Sequence, residues 1–380
     1  MKILHIGPAS VYTEGMTYQD NLLPEQNVRD GHDVMFITAA RTYKKSIIVT
    51  VPLEDTVLKN GVRLVRLPDK NLGVPKLSRL FNILEGLEDT IKNFAPDIIL
   101  FHGISSFGLL TAAKYKKNNP NVKLYVDSHA DDNNSARNLL SRNILHRMIW
   151  RTVARMIFPY TEKFLYVGTE SGEFLKKYYK LNPKQLEFYP LGGILPLESE
   201  YWNTRNKIRE RIGLKEQDIL FVHSGKLDKL KRTEDILLAF QKCNYDNVKL
   251  IIIGDINEDL QDRLLKLIKE NRRVLFLGWK SGAELREYLC AADVYVQPGS
   301  QSATMQTAMC LRCALMLYPH YSHLVYLKDN GFFVETIGNM VEIFNKFAAN
   351  RDLTISMGAK SYEFAKCNLD YKVLANRLYR

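Results

Sequence analysis

Phe221-Val-His-Ser-Gly-Lys-Leu-Asp-Lys-Leu-Lys-Arg-Thr-Glu-Asp-Ile-Leu-Leu-Ala-Phe240 runs from an apolar strand through a Gly-Lys turn into a helix with one apolar face. Phe221 and Val222 have the character of a buried strand end, and Gly225 permits a tight turn. Thr233 is placed to cap a helix carrying Ile236, Leu237 and Phe240 on one side. Two readings fit this stretch. In one, the N–H groups of the helix start and the ammonium groups of Lys226 and Lys231 cradle a diphosphate. In the other it is an ordinary strand-to-helix turn with solvated lysines. Its surroundings decide between them.

Downstream, Val248–Gly254, Val274–Trp279 and Val294–Pro298 read as further strands, with helices over 259–270 and 283–291 between them. This alternation predicts a parallel sheet covered by helices on both faces. After the last of these strands, Pro298-Gly-Ser-Gln-Ser-Ala-Thr-Met-Gln-Thr-Ala-Met-Cys310 is a small-residue turn opening a helix near Ser302 or Ala303. Its hydroxyls, from Ser300, Ser302 and Thr304, suit an anion or a sugar, although helix capping alone accounts for one or two of them.

Upstream the same rhythm appears. Lys2–Ile6, Val34–Thr38, Val62–Leu67, Ile98–Phe101, Leu124–Val126 and Phe164–Val167 read as strands. The first turn lacks Gly-x-Gly-x-x-Gly, so the dinucleotide fingerprint is missing. Gly15-Met-Thr-Tyr-Gln-Asp-Asn21 falls at the carboxyl edge of this sheet, where open α/β sheets bind ligands. His102-Gly103 and the polar run Asp127-Ser-His-Ala-Asp-Asp-Asn-Asn-Ser135 follow strand ends on that edge. The run offers oxygens and an imidazole to a metal, but one short loop rarely closes a site alone, and sugar recognition by His129 or a solvated loop is the simpler reading.

At 380 residues the chain exceeds the usual size of a single core, and the turn-rich segment Tyr189–Pro196 separates the halves. We therefore expect domains at 1–195 and 196–360, with 361–380 forming a C-terminal helix that returns to the first. The net charge of +11 favours anionic company. No recognition helix, aromatic platform or zinc module supports nucleic acid. The five cysteines all lie in the second half, and Cys310-Leu-Arg-Cys313 lacks a second ligand pair, so it reads as buried thiols. No apolar run reaches membrane-spanning length, and the sequence enters a strand at once, so a cytoplasmic protein is expected. Over 141–158, Arg142, Arg147, Arg151 and Arg155 alternate with apolar residues. That pattern fits a helix lying on an anionic membrane and equally a core helix with a basic outer face.

Taken together, the chain resembles a GT-B glycosyltransferase, most closely glycosyltransferase family 4. Ser224-Gly-Lys-Leu-Asp-Lys-Leu-Lys231 is similar to the family's Gly-Arg-Leu-x-x-x-Lys signature, with Lys226 at the arginine and Lys231 at the lysine. Gly31-His32, His129 and Pro190-Leu-Gly192 match further family positions. The resemblance implies two Rossmann-like domains facing across a cleft. It further implies retaining transfer of a sugar from a nucleotide-diphosphate donor, with His129, Lys226 and Lys231 as catalytic residues and no metal or other cofactor.

The donor set it implies adds Gly225, Gly278, Trp279, Ser300, Gln301, Ser302, Ala303, Thr304, Gln306 and Thr307. Gly15, Met16, Thr17, Tyr18, Gln19, Asn21, His102, Asp127 and Asp131 fall on the acceptor side. One departure stands out: the family's two glutamates are missing from the donor loop, and Thr307-Ala-Met309 takes the place of the second. The variant resembles surface-polysaccharide transferases, which implies a saccharide or lipid-linked acceptor at the inner membrane face. An epimerase of the same fold and a catalytically impaired homologue remain the alternatives.

Overall fold

The computed structural model describes residues 1–44, 47–71, 73, 80–132 and 134–380. The chain divides into two compact units, one formed by Met1–Pro190 with Leu374–Arg380 and the other by Leu191–Val373. Each is an α/β unit built on its own sheet.

The sheet of the first unit comprises β1 (Lys2–Gly7), β2 (Asp33–Ala39), β5 (Glu54–Val57), β6 (Arg63–Leu67), β7 (Ile98–His102), β8 (Lys123–Ser128), β9 (Lys163–Tyr166) and β10 (Leu186–Phe188). A separate hairpin of β3 (Arg41–Lys44) and β4 (Ile47–Thr50) stands beside it. The strand order is β10-β9-β8-β7-β1-β2-β6-β5, parallel throughout except for β5. β1 is wholly buried beyond Lys2 and β7 along its full length. Strands covered on both faces need continuous apolar runs, which is why Ile98-Ile-Leu-Phe101 shows no alternation. The order reverses between β1 and β7, and a parallel sheet opens its ligand crevice at that point.

The second unit carries β11 (Ile219–Ser224), β12 (Val248–Ile253), β13 (Val274–Phe276), β14 (Val294–Gln297), β15 (Ala314–Leu317) and β16 (Gly331–Phe333), all parallel, in the order β13-β12-β11-β14-β15-β16. Its core centres on Phe221, Phe240, Phe344 and Phe347, with Phe221 meeting Phe344 edge to face at 4.9 Å. The reversal here lies between β11 and β14. The Gly-Lys turn after β11 and the 298–304 loop after β14 are therefore neighbours at one sheet edge.

Three sequence expectations change. The boundary falls at Pro190, and residues 361–373 belong to the second unit, because Ser361 and Ala365 of the helix Arg351–Asn368 are buried there. The terminal stretch breaks at Leu369 into a second helix, Tyr371–Tyr379, and only residues 374–380 return to the first unit. The return is well anchored. Tyr189 Oη donates to Leu374 O at 2.8 Å, Arg377 pairs with Glu187, and Lys123 Nζ reaches Tyr379 O at 3.0 Å. Finally, the basic segment is helical but wound as a π-helix over Ser141–Trp150 before the α-helix Arg151–Ile157.

Candidate active site

In the second unit, three glycines let the loops at the sheet edge press together. A Cβ on Gly254 would lie 1.8 Å from Gly225 O, and one on Gly299 would lie 2.1 Å from Leu230 O. Real carbon atoms never approach so closely. The turn Lys229–Lys231 therefore touches the loop after β14, and Ser300 N donates to Leu230 O at 2.8 Å.

Lys231 spans this contact. It is only 7% exposed, and its Nζ donates to Ser300 O at 3.0 Å and Gln301 O at 3.1 Å. Burial lowers its pKa. An ammonium has three protons, so one remains for a ligand. Arg232 Nη1 holds Pro298 O at 3.2 Å and His320 Nε2 meets Gly299 O at 3.0 Å. Four successive carbonyls of the 298–301 loop are thus turned toward imidazole and cationic groups. A loop so oriented presents few acceptors outward, which is the polarity an anion needs. Lys226 is exposed on the same edge.

Thr233 does not cap its helix. Its Oγ1 pairs with His223 Nε2 at 3.0 Å, while His223 Nδ1 meets Val296 O at 2.8 Å. Burial holds this imidazole neutral, with its pKa down at about 4. That helix starts from Arg232 with no side-chain cap, and it is the short turn Lys229–Lys231 before it that is capped, by Asp228 Oδ1 accepting from Leu230 N and Lys231 N.

The helix after β14 begins at Thr304, later than the sequence suggested. Ser302 Oγ lies 3.1 Å from Thr304 Oγ1, and Gln301 Nε2 donates to Ser322 Oγ at 2.6 Å. Ala303 is exposed and Thr307 half-buried. Gln306 is buried, and its Oε1 has no partner among the described residues. Gly278, in a left-handed conformation, accepts from Gly254 N at 2.9 Å, which ties it to the same edge. Trp279 beside it is 63% exposed.

The first unit assembles a different centre at its own crevice. His5 on β1, His102 on β7 and Asp127 on β8 form a buried chain: His5 Nδ1 to His102 Nε2 at 3.0 Å, then His102 Nδ1 to Asp127 Oδ2 at 2.7 Å. Asp127 Oδ1 accepts from Gly103 N at 2.9 Å and faces His129 Nε2 at 3.8 Å. Desolvation pulls the His102 pKa down, yet Asp127 and Asp20 overcome it and raise it to about 8. The carboxyl of Asp127 resists its own burial in the same way, held far below the usual carboxylate range by His102. His129 is half-exposed, and Asp127 raises its pKa against desolvation. A cavity of about 310 Å³, bordered by His102, Gly103, Ser105, Ser128 and His129, opens beside the pair.

The sequence reading missed two participants here. Asp20 Oδ1 lies 3.5 Å from His102 Nδ1 and is 25% exposed, in the first turn of the helix Gln19–Arg29 that follows Gly15–Tyr18. His5 is invisible without knowing that β1 and β7 are adjacent. Of the acceptor-side residues, Gly15, Thr17 and Tyr18 are exposed and Met16 half-buried. Asn21 instead ties down its own loop through Thr13 O at 2.9 Å. Asp131 likewise caps the turn at Asn134, accepting from its N–H at 2.8 Å. Gln19 is buried with both amide atoms unpartnered among the described residues. No group of three metal-ligating side chains is placed to hold an ion among the described residues.

Residues 204–363 match the family model for glycosyl transferases group 1. No curated protein matches the chain. Solved structures share the fold over its full length. Sucrose-phosphate synthase from Thermosynechococcus elongatus is 13% identical with a TM-score of 0.70, over 100% of this chain and 98% of that one. HepE of Anabaena, solved with UDP, is 15% identical with a TM-score of 0.68, over 100% and 98%. WaaG, a glycosyltransferase involved in lipopolysaccharide biosynthesis, is 14% identical with a TM-score of 0.62, over 100% and 98%.

Proposed function

We propose that this chain, with the two-domain GT-B fold and a group 1 glycosyl transferase match across its second unit, is a retaining glycosyltransferase of the family 4 type. It moves a hexose or related sugar from a nucleoside-diphosphate donor to a saccharide acceptor in surface-polysaccharide synthesis. The observation that carries the reading is the turn Gly225–Lys231: one exposed and one buried lysine at the switch point of a parallel sheet, beneath a loop whose carbonyls face inward.

In this mechanism the anomeric C–O bond to the diphosphate breaks and the acceptor oxygen bonds the same carbon on the same face. The acceptor proton leaves with the diphosphate. Charge grows on that leaving group, so fixed cations placed there lower the barrier most. We assign this to Lys226 and to the third proton of Lys231, and no metal or other cofactor enters the scheme. Gly225, Ser300, Ser302, Ala303 and Thr304 border the phosphates and sugar. Gln306 and Thr307 stand where a ribose would be read, and Trp279 offers a face to the base. His129 orients the sugar, and Asp20 is the carboxylate available to an acceptor hydroxyl.

A panel of nucleotide sugars tests the reading. The true donor should raise the melting temperature by mass action, by RT ln(1 + [L]/Kd) in free energy, and support transfer to an acceptor glycan with retained anomeric configuration. No shift with any donor sinks the proposal. Binding without turnover identifies an impaired homologue, and an epimer formed from donor alone identifies an epimerase.

We place the acceptor on a lipid at the inner face of the membrane. Around the π-helix, Leu139, Leu140, Ile144 and Met148 are 71%, 66%, 44% and 63% exposed, interleaved with Arg142, Arg147, Arg151 and Arg155. Such a surface suits peripheral binding to anionic lipid. No described helix is long and apolar enough to cross a membrane. The protein should float with phosphatidylglycerol vesicles at low salt and not with phosphatidylcholine vesicles. Ile144→Asp with Met148→Asp should abolish flotation, and unchanged flotation of that variant would remove this surface from the reading.

A further inference from the structure

We propose that Tyr379, in the last turn of the helix Tyr371–Tyr379, is a positioning residue for the His129 site, acting by fixing where the protons of His5 and His102 reside. The inference rests on the transferase reading for its catalytic consequence alone. Its structural part stands on five consecutive hydrogen bonds within the first unit.

The direction of each bond follows from the one before it. Tyr379 Oη lies 2.8 Å from Asp30 Oδ2, and a carboxylate can only accept, so the single phenolic proton points to Asp30. The phenolic oxygen must then accept from Asn27 at 2.8 Å, which makes the facing Asn27 atom Nδ2. The other amide atom, Oδ1, faces His5 Nε2 at 2.8 Å and requires a proton there. His5 is fully buried, and desolvation, reinforced by the positive charge of His102, holds it neutral with a pKa near 3. A neutral imidazole with a proton on Nε2 has a bare Nδ1. His102 Nε2 must therefore donate to it across 3.0 Å. His102 Nδ1 must donate as well, because it meets the carboxylate of Asp127 at 2.7 Å. Both ring nitrogens of His102 carry protons, and the imidazolium is specified from the far side of the domain.

The groups facing His102 are Asp127 on β8, Asp20 on the helix Gln19–Arg29, His5 on β1 and His129 after β8. With His102 charged, Asp127 is fully engaged, anchoring Gly103 N and facing His129. The rings of Phe36, His5 and His102 stack at 5.3 to 5.9 Å, so none of them can turn aside to find another partner. Without the phenol, the Asn27 amide is free to flip and the His5 proton to move to Nδ1. His102 Nε2 would then have to accept, and the ring would be neutral.

Histidine ring nitrogens of the full chain, labelled with ¹⁵N, report this directly. In the parent, His102 should show two protonated nitrogens at pH 7. In Tyr379→Phe its midpoint should fall by about one pH unit, a tenfold change in proton affinity. Asp30→Ala leaves the phenol and its packing in place and should move the midpoint in the same direction, which separates the proton relay from any loss of folding. The alkaline limb of transfer activity against pH should move by the same amount in both variants. A parent His102 with a single proton at pH 7, or a midpoint unmoved in both variants, overturns the relay. A shifted midpoint with an unshifted activity limb overturns its positioning role. Absence of transfer by the parent overturns the transferase reading and leaves the ring-nitrogen result to decide the relay.

Discussion

Lys231→Ala should lower kcat/KM for sugar transfer by about 100-fold to 1,000-fold, the usual consequence of removing one fixed charge from a developing oxyanion. Two losses combine. The proton aimed at the diphosphate disappears, and so do the bonds to Ser300 O and Gln301 O that hold the donor loop against the turn. The second loss also affects the resting protein, because two carbonyls lose their partner at a cost of about 1–3 kcal/mol. Lys226→Ala should behave differently. That side chain is exposed and holds no partner among the described residues, so activity should fall while the urea midpoint stays put. Steady-state kinetics beside urea titration of both variants decides the matter. Transfer within a few-fold of the parent in a folded Lys231→Ala protein would show that the turn is structural only.

Asp127→Ala should be the most destabilising substitution at the first unit's crevice. Leaving a buried charge without its partner costs about 3–5 kcal/mol, less whatever His102 recovers by shedding its proton. The pH dependence gives the sharper signature. His102 holds its proton more tightly folded, at about 8, than unfolded, at 6.5. Its stabilisation, about 2 kcal/mol by linkage, is therefore complete below pH 6.5 and lost as pH rises through 8.

Asp127 is depressed, so its share is present above the ordinary carboxylate range and lost only in strong acid. His5 and His223 act in the opposite sense: with folded values near 3 and 4, they refuse protons that the unfolded chain accepts. Stability should fall as pH drops below 6.5. The parent should accordingly be most stable just below neutrality. In Asp127→Ala the alkaline loss between pH 6.5 and 8 should shrink, and an identical alkaline slope in the two proteins would dismiss the His102–Asp127 pair as its source.

The parallel sheets were legible because strands buried on both faces leave unbroken apolar runs, as at Ile98–Phe101 and Leu250–Ile253. β15 was not, since a four-residue run such as Ala314–Leu317 cannot be told from helix by periodicity. Half of the site was legible for a related reason. Gly225, Lys226 and Lys231 are close in sequence, and local spacing carries their meaning. His5, Asn27, His102 and Tyr379 meet only because strand order places β1 beside β7 and the last helix returns, and no local pattern encodes that. Thr233 was misread because hydroxyls before helices usually cap, whereas here a buried histidine ring competes for the oxygen and wins.

The first unit is discontinuous along the chain, with the whole of Leu191–Val373 inserted between Pro190 and Leu374. On the ribosome, the segment 1–190 must therefore wait, with Asn27, Lys123, Glu187 and Tyr189 lacking the partners that residues 374–380 supply, until the second unit has been translated. Vectorial synthesis should finish the later domain first and complete the earlier one last. A chain stalled after the second unit would then hold one finished domain and one protease-sensitive domain, in the reverse of the order in which they were made.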